Sequence, residues 1–396
     1  MDITIHPRKL KGDITVIPSK SQAHRLLICA AFAGSPTELR CPEINRDIEA
    51  TVDCLNALGA DIQRTDFGFR VAPMTVIPTS ATLNCCESGS TLRFMLPIAG
   101  ALGVDATFRM EGRLPQRPLS PLWEEMERMG CHLARSTAST IHCCGKLQAG
   151  KYSIDGSVSS QFITGLMLAL TLLDAPSTLE ITGKIESKPY IRLTEAAIEL
   201  FGGDTQQLGS KKLRSKGFVD VEGDWSNGTF FLTAKTLGSN LNICGLEESS
   251  AQGDRAVMEL LPRLKTQCCT ISAKDIPDLI PILSVFAAAN HGAVFTDIQR
   301  LRMKESDRVA TTIALITNLG GSASATEDTL TVSGTDLQGG TVDAANDHRI
   351  AMSAAIAATV CTAPVTILGA ECVKKSYPRF WEEYARLGGN YEQYIR

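Results

Sequence analysis

One pattern recurs along the chain and constrains its fold more than any other feature: an amphipathic stretch that ends at a glycine. The five copies end at Leu58-Gly59, Met129-Gly130, Phe201-Gly202, Leu319-Gly320 and Leu387-Gly388. Most recur at roughly 70-residue intervals, which indicates an architecture built from copies of one unit. Because glycine readily adopts the left-handed conformation that ends a helix, each stretch is predicted to be a helix with one apolar face. A sixth copy, near Leu264, is degraded.

A second element recurs six times, as a polar or charged opening followed by an apolar run. The copies are SKSQAHRLLICAAFA, ESGSTLRFMLPIAGAL, SVSSQFITGLMLAL, GDWSNGTFFLTAK, KDIPDLIPILSVFAAA and NDHRIAMSAAIAAT. Helices that are apolar nearly all round lie in a protein core, so these stretches are predicted to be buried helices. Short runs such as STLEITG and PVTILGA have the composition of strands and lie between the helices.

The openings of the buried helices hold cations as well as helix caps. Ser, Asp and Asn are ordinary capping residues, because their side chains accept hydrogen bonds from free backbone N–H groups. Capping does not explain Lys20, Arg25, Arg93 and Arg349, since a cation opposes the positive end of the helix dipole. We therefore expect these helix ends to converge on anionic ligands, and not to be capped core helices alone.

Residues 301–308, LRMKESDR, combine three cations with two carboxylates. If this segment opens a helix, Lys304 and Arg308 share one face, where like charges repel by about a few tenths of a kcal/mol. A bound anion would explain their proximity. The alternative is a solvated helix end at which Glu305 and Asp307 neutralise their neighbours.

Composition excludes several classes of protein. The formal net charge is −4 and the pI is about 5.9, so no global basic field favours nucleic acid or an anionic membrane. The N-terminal stretch lacks the apolar core of a signal peptide, and no run of about 18 apolar residues occurs. We expect a cytoplasmic protein of two domains.

The thirteen cysteines are expected to be reduced and mostly buried thiols. Their only close pairs are the vicinal Cys85-Cys86, Cys143-Cys144 and Cys268-Cys269, with no CxxC motif and no paired histidine spacing. This pattern fits neither a disulfide framework nor a zinc site, so no metal is expected.

Ten motifs in a fixed order give the chain a resemblance to the 5-enolpyruvylshikimate-3-phosphate synthase family. They are PSKSQAHR, ESGSTLR, LPQRPLSPL, DGSVSSQF, ESKPYIRLT, VEGDWSN, DIPDLIP, RMKESDR, NDHRIAM and KKSYPRFW. The resemblance implies an α/β (α+β) fold of two lobes, each with three βαβαββ units, buried helices and outer sheets. Residues 1–19 with 224–396 would form a discontinuous first lobe on the phosphoenolpyruvate side, and residues 20–223 a second lobe on the shikimate 3-phosphate side.

The implied reaction transfers the enolpyruvyl group of phosphoenolpyruvate to the 5-hydroxyl of shikimate 3-phosphate and releases phosphate. No cofactor is implied, the partners are these two small molecules, and the family is usually monomeric. Glyphosate is a possible inhibitor, because Gly89 is present, although Glu87, Phe94 and Arg300 depart from the family pattern.

Motif positions imply a set of residues for each substrate. The phosphoenolpyruvate set is Lys20, Gly89, Arg117, Gln161, Arg308, Arg349 and Lys375. The shikimate 3-phosphate set is Lys20, Ser21, Arg25, Ser159, Ser160, Gln161, Ser187, Tyr190, Asp278 and Lys304. Arginine forks suit carboxylate and phosphate, and a glycine lets the backbone approach a ligand closely. For the three serines at positions 159, 160 and 187, helix capping alone is the alternative.

The implied catalytic residues are Asp278, Glu305, Lys304 and Lys20. Glu305 is expected to give a proton to the methylene carbon, because an anionic ligand and Asp307 would raise its pKa. A pKa lowered by neighbouring arginines would let Lys304 accept the hydroxyl proton. Asp278 is the other candidate base, and His348 is expected to be structural.

Two other functions fit the sequence less well. The enolpyruvyl transferase that acts on UDP-N-acetylglucosamine carries a reactive cysteine on a mobile loop, whereas Gln116 precedes Arg117-Pro118 here and the loop holds no cysteine. A nucleic-acid-binding module, like the RNA 3′-phosphate cyclases that share the repeat unit, should have a basic surface and aromatic stacking residues. Neither pattern is present in the sequence.

Overall fold

The chain divides into two compact units in the computed structural model, which describes residues 1–394. Unit 1 joins Met1–Ile17 to the residues from Gly223 onward, and unit 2 is Pro18–Glu222. Unit 1 is therefore discontinuous in sequence. The lobe boundaries expected from the resemblance, after residues 19 and 223, fall two residues and one residue later than the boundaries of these units.

Within residues 1–394 the chain forms twelve α-helices. They are α1 (Lys20–Ala31), α2 (Arg46–Ala57), α3 (Gly89–Leu102), α4 (Leu122–Arg128), α5 (Ser160–Leu170), α6 (Lys188–Leu200), α7 (Trp225–Thr236), α8 (Val257–Thr266), α9 (Ile280–Ala288), α10 (Arg308–Asn318), α11 (His348–Ala357) and α12 (Phe380–Arg386). The odd-numbered helices are buried along most of their length, whereas the even-numbered helices bury one face. The predicted alternation of buried and amphipathic helices is confirmed, with three of each kind in either unit.

Glycine ends five of the six amphipathic helices, as the sequence predicts. Each of the five predicted glycines has a positive φ, between +76° at Gly202 and +107° at Gly130. The degraded copy is also confirmed, because α8 is followed by Gln267 in an extended conformation with φ at −160°.

Twenty strands accompany the helices within the described residues. They are β1 (Asp2–His6), β2 (Lys11–Thr15), β3 (Thr37–Arg40), β4 (Asp61–Thr65), β5 (Gly68–Ala72), β6 (Ser80–Asn84), β7 (Asp105–Arg109), β8 (Cys131–Thr137), β9 (Thr140–Gly145), β10 (Lys151–Asp155), β11 (Thr178–Thr182), β12 (Phe218–Asp220), β13 (Asn240–Cys244), β14 (Cys269–Ser272), β15 (Ala293–Thr296), β16 (Ser322–Ala325), β17 (Thr329–Ser333), β18 (Gly340–Asp343), β19 (Val365–Leu368) and β20 (Asn390–Tyr394).

The strands form six small sheets of two kinds. Four sheets share one pattern, a parallel pair extended by two antiparallel strands, in the orders β6-β7-β9-β8, β14-β15-β17-β16, β12-β3-β5-β4 and β18-β19-β1-β20. The remaining two, β10-β11 and β13-β2, keep only the parallel pair. Four copies of the repeat therefore have a four-stranded sheet, and the other two have a sheet of only two strands.

Each unit has its own hydrophobic core, formed where the buried helices pack on the inner faces of the sheets. In unit 2, Phe108 on β7 and Phe162 on α5 are fully buried, as are Phe230 on α7 and Phe295 on β15 in unit 1. Full burial of one such side chain contributes about 1.5–3 kcal/mol. The buried helices are therefore fixed along their bodies, and their polar N-terminal ends are held in defined positions.

The charged segment 301–308 does not begin a helix at Leu301. From the sequence, Lys304 and Arg308 were expected to share one helical face only if the segment began a helix. A 3-10 helix covers Gln299–Met303, and Lys304 follows it in an extended conformation. Helix α10 begins only at Arg308. The side chain of Asp307 caps it by accepting from the N–H groups of Val309 and Ala310. Lys304 and Arg308 therefore do not share a helical face.

Candidate active site

The three buried helices of unit 2 begin with capped turns. Ser19, Ser88 and Ser159 are the N-cap residues of α1, α3 and α5, and each hydroxyl accepts from a backbone N–H two or three residues later. Capping by Ser159 is thus observed, and its contact with a ligand stays a prediction. Ser160 is the first residue of α5 and is buried.

Gly89 lies against two arginine side chains at the start of α3. A Cβ built at this position would fall 2.6 Å from Nη1 of Arg117 and 2.7 Å from Nη1 of Arg93. Because Cβ atoms do not approach other heavy atoms so closely, glycine is what allows both guanidinium groups to lie at this helix end. The sequence predicted a glycine for close approach by a ligand, and the close neighbours observed here are arginines.

Gln161 links α5 to Arg93, a residue absent from the predicted substrate sets. Its Oε1 accepts from Nη1 of Arg93 at 3.0 Å, and its Nε2 donates to Oγ of Ser90 at 3.0 Å. Arg93 also donates to the carbonyl of Pro118, next to Arg117. Arg93 therefore connects α3, α5 and the segment that carries Arg117.

Arg25 holds helices together inside unit 2. Its guanidinium donates to the hydroxyls of Thr194 and Thr164 and to the backbone carbonyls of Ser21 and Tyr190. Arg25 is 2% exposed, and burial lowers its pKa to about 10. Four of its hydrogen bonds go to the protein, and its contact with a ligand stays a prediction.

The other predicted residues of unit 2 lie at helix starts. Nζ of Lys20 is 3.1 Å from Oδ2 of Asp47, an ion pair that sequence analysis did not anticipate. Ser187 precedes α6, is buried, and has left-handed backbone angles of φ +55° and ψ +43°. A non-glycine residue in this region is uncommon and frequently marks a functional position. Tyr190 is half-buried.

Arg308 is the centre of the charged cluster in unit 1. Its Nη1 lies 2.8 Å from Oδ1 of Asp278, its Nη2 lies 2.7 Å from Oε2 of Glu305, and its Nε lies 3.0 Å from Oδ2 of Asp347. Burial by itself lowers the pKa of the guanidinium, but these three carboxylates outweigh it and raise the pKa. Arg308 therefore joins the predicted base, Asp278, to the predicted proton donor, Glu305.

Asp347 was missed as a site residue, although it lies in the NDHRIAM motif. It is fully buried, caps α11 by accepting from the N–H of Arg349 at 2.9 Å, and accepts from the hydroxyl of Ser306 at 3.0 Å. Asp347 thus holds the side chain of Arg308 and the backbone N–H of Arg349. The sequence signal was only that of a helix cap.

Arg349 is buried in unit 1 with most of its donors unused. Its Nη2 lies 3.4 Å from Oδ2 of Asp278, and its guanidinium lies over the ring of Phe230 at 5.9 Å. Nε and Nη1 have no hydrogen-bond partner within residues 1–394, although the residue is only 3% exposed. Burial opposes the charge, but nearby carboxylates, first among them Asp278, raise the pKa.

The ammonium group of Lys304 lies 3.7 Å from Oδ1 of Asp278. Its pKa is lowered to about 8, first by burial and then by Arg308 and Arg300, while Asp278 opposes the shift. The predicted direction of the shift is confirmed. The predicted cause, neighbouring arginines, was incomplete, because burial contributes most.

Asp307 was expected to raise the pKa of Glu305, and this effect stays a prediction. It caps α10 and lies 3.7 Å from Nη1 of Arg302. Lys375, the last residue of a 3-10 helix at Ala370–Lys375, donates to the carbonyl of Asn346 at 3.1 Å, just before α11. Lys375 therefore lies beside the start of the helix that carries Arg349.

Comparison with known proteins identifies the family. In solved structures, the EPSP synthase of Acinetobacter baumannii matches with a TM-score of 0.80 at 21% identity and 99% coverage of both chains. The enolpyruvyl transferase NikO of Streptomyces tendae matches with a TM-score of 0.77 at 17% identity, over 99% of this chain and 98% of that chain. These matches confirm the α/β fold predicted from the sequence, that of the enolpyruvyl transferases.

Sequence comparison is more specific. A sequence model described as EPSP synthase (3-phosphoshikimate 1-carboxyvinyltransferase) matches residues 5–275 and 261–384. The 3-phosphoshikimate 1-carboxyvinyltransferase of Clostridium kluyveri is 35% identical over 421 residues, covering 99% of this chain and 98% of that protein. That of Clostridioides difficile is 33% identical over 430 residues, with 99% and 98% covered. The chain belongs to the EPSP synthase family.

Three further observations concern a metal site, a membrane-spanning helix and disulfides, none of which the sequence predicts. Within residues 1–394 no group of three or more His, Cys, Asp or Glu side chains is arranged to hold a metal ion. None of the helices in this described part of the chain is long and apolar enough to cross a bilayer. The thirteen cysteines are free thiols, nine of them buried.

Proposed function

We propose that the charged cluster around Arg308 in unit 1 and the helix starts of unit 2 bind the two substrates of the family's reaction, and that the charged cluster supplies its acid and base. That reaction transfers the enolpyruvyl (carboxyvinyl) group of phosphoenolpyruvate to the 5-hydroxyl of shikimate 3-phosphate and releases phosphate by addition and elimination. It is a step of the shikimate pathway, which leads to chorismate and the aromatic amino acids. The chain is an enzyme of this class.

The observation that carries the proposal is the buried guanidinium of Arg349. A buried polar group that lacks a partner costs about 1–3 kcal/mol, and more when it is charged. Anionic oxygens that accept from Nε and Nη1 would remove this cost, because guanidinium N–H groups form strong charge-assisted hydrogen bonds with carboxylate and phosphate. Phosphoenolpyruvate carries both groups.

The contacts of phosphoenolpyruvate are assigned by motif position. The set is Lys20, Gly89, Arg117, Gln161, Arg308, Arg349 and Lys375. The placement of Arg117 at the N-terminal end of α3, beside Gly89, supports this assignment, because the helix dipole and the cation favour the same anion. Unit 1 is proposed as the phosphoenolpyruvate side.

Unit 2 is proposed as the shikimate 3-phosphate side. The contacts of shikimate 3-phosphate are assigned by motif position to Lys20, Ser21, Arg25, Ser159, Ser160, Gln161, Ser187, Tyr190, Asp278 and Lys304. Hydroxyl and backbone N–H groups at the starts of α5 and α6 suit a phosphate. With four of its hydrogen bonds directed to the protein, Arg25 contributes chiefly charge and helix position.

The acid and base are assigned to the cluster around Arg308. Glu305 donates a proton to the methylene carbon, and the 5-hydroxyl oxygen, losing its proton to Asp278 or Lys304, attacks the adjacent carbon. Loss of phosphate and of a methyl proton then restores the double bond. Arg308 contacts both Asp278 and Glu305, which supports assigning the base and the acid to one cluster. The lowered pKa of Lys304 supports Lys304 as the second candidate base.

Other properties are proposed from the same resemblance. Glyphosate is expected to compete with phosphoenolpyruvate, since the position beside Arg117 is glycine. The protein is expected to be monomeric and cytoplasmic. A glyphosate titration at several phosphoenolpyruvate concentrations tests the first of these, and light scattering in solution tests the monomer.

Phosphate release tests the proposed reaction. Purified protein is incubated with phosphoenolpyruvate alone, with added shikimate 3-phosphate, and with added UDP-N-acetylglucosamine as the substrate of the related transferase. We expect saturable release only with shikimate 3-phosphate. Release with UDP-N-acetylglucosamine instead, or no release with either acceptor, would refute the proposal. A separate binding experiment tests the alternative module: an affinity for nucleic acid that falls steeply with salt would indicate it.

A further inference from the structure

The carboxyl group of Asp254 is buried in unit 1 and has no part in the assignments above. It lies in a 3-10 helix, Gly253–Ala256, that precedes α8, and the residue is 3% exposed. Its Oδ2 accepts a hydrogen bond from the hydroxyl of Ser226 on α7, whereas Oδ1 has no hydrogen-bond partner in the described part of the chain. Because a buried carboxylate with an unpartnered oxygen is costly, this geometry favours the neutral acid.

The neighbouring backbone keeps this carboxyl in place. The side chain of Gln252 accepts from the N–H of Trp225 at 3.1 Å and donates to the carbonyl of Gly223 at 2.8 Å. Two side chains that are two residues apart, Gln252 and Asp254, are thus both fastened to the start of α7. Asp254 is therefore held at the N-terminal end of α7.

Charged groups at the starts of three buried helices of unit 1 act on Asp254. They are Asp278 before α9, Arg349 on α11 and Asp224, the cap of α7. Toward α8, Arg255 and Glu259 are exposed to solvent. Burial and then the charge of Asp278 raise the pKa of Asp254 to about 7, while Ser226 and Arg349 partly oppose the shift.

We propose that Asp254 is a positioning residue that acts on anion binding through Arg349. As a neutral acid it leaves the positive charge of Arg349 available to the ligand, and as a carboxylate it competes with the ligand for that charge. The inference rests on the proposed role of Arg349 in binding phosphoenolpyruvate. It adds a residue, and a pH dependence, that the motif positions do not imply.

The sign of the effect follows from the direction of the pKa shift. Asp254 is neutral below about pH 7 and ionised above it, so affinity for phosphoenolpyruvate falls as the pH rises. If only the protonated form binds, KM at about pH 8.5 exceeds KM at about pH 6 by up to about 30-fold from this group alone. Lys304 and the substrate also titrate in this range, so the test compares variants.

The test measures the ratio of KM for phosphoenolpyruvate at about pH 8.5 to that at about pH 6, by phosphate release at saturating shikimate 3-phosphate. Asp254→Asn keeps the shape and removes the titration, so its ratio should be several-fold smaller than that of the unaltered protein. Ser226→Ala removes a hydrogen bond that favours the ionised form, which raises the pKa of Asp254 further. Its ratio should lie between the other two.

A matched control removes a similar serine–aspartate bond elsewhere in unit 1. Ser272 donates to Oδ2 of Asp297 at 2.6 Å on the exposed surface, and Asp297→Asn should leave the ratio unchanged. Equal ratios in all four proteins would overturn the inference, as would a larger ratio in Ser226→Ala than in the unaltered protein. Failure of the proposed function itself would be visible separately, as no phosphate release by the unaltered protein.

Discussion

Arg308 and Asp347 form an ion pair in which both side chains are almost completely inaccessible, with Nε of the arginine 3.0 Å from Oδ2 of the aspartate. The pair joins α10 to α11, the two helices whose first turns carry Arg308 and Arg349. Because Asp347 accepts at one edge of the guanidinium, the Nη atoms remain directed to Asp278 and Glu305. The position of the proposed acid and base therefore depends on a residue that neither substrate needs to contact.

Asp347→Ala should destabilise the protein and abolish turnover. Its loss removes one carboxylate from a buried charged cluster and leaves Nε of Arg308 and the N–H of Arg349 without this acceptor, which costs about 3–5 kcal/mol in the free energy of unfolding. Urea denaturation measures this cost. The control is Glu382→Ala, which removes an exposed partner of Arg379 in the same unit and should cost about 1 kcal/mol or less. Equal stability of the two variants would contradict the role assigned to Asp347.

Gly89→Ala should weaken phosphoenolpyruvate binding more than it slows turnover. The new Cβ would fall 2.6 Å from Arg117 and 2.7 Å from Arg93, so both guanidinium groups must shift. Since small displacements of positioning groups are costly in a binding site, KM should rise about tenfold or more. Steady-state kinetics test this against Gly34→Ala, where an added Cβ meets nothing within 4 Å. An unchanged KM in Gly89→Ala would count against Arg117 as a ligand.

The pH dependence of Lys304→Arg separates the two candidate bases. The ammonium of Lys304 loses its proton above about pH 8, so if it serves as a cation, KM for shikimate 3-phosphate rises above that pH. Arginine stays charged, and the rise should disappear in the variant. We expect the rise in KM to disappear in Lys304→Arg, which would leave Asp278 as the base. A kcat that instead increases through about pH 8, and loses that increase in Lys304→Arg, would assign the base to Lys304.

Much of the fold could be predicted from local sequence because its signals are local. A glycine after an amphipathic stretch ends a helix whatever surrounds it, as at Gly130 and Gly202, and a helix that is apolar all round can lie only in a core. The two-stranded sheets were less predictable, since the pairing of β2 with β13 joins residues more than 200 positions apart.

The site was less predictable for the same reason. Motif positions indicated which residues lie at helix starts, but not that Gln161 would hold Arg93, or that Lys20 would pair with Asp47. Those contacts depend on how separate helices are placed in space. Asp254 carried no sequence signal, because only its burial between α7 and the start of α8 distinguishes it from a surface aspartate.

The most direct test of anion binding by the buried cations is the affinity of Arg349→Gln for phosphoenolpyruvate, measured by calorimetry without shikimate 3-phosphate, so that no turnover contributes heat. Arg263→Gln, an exposed position in the same unit, is the control. We predict that the first variant loses about 100-fold or more in affinity, as expected when charge-assisted hydrogen bonds to an anion are removed, while the control binds normally. Binding by Arg349→Gln that equals that of the unaltered protein would contradict the proposal.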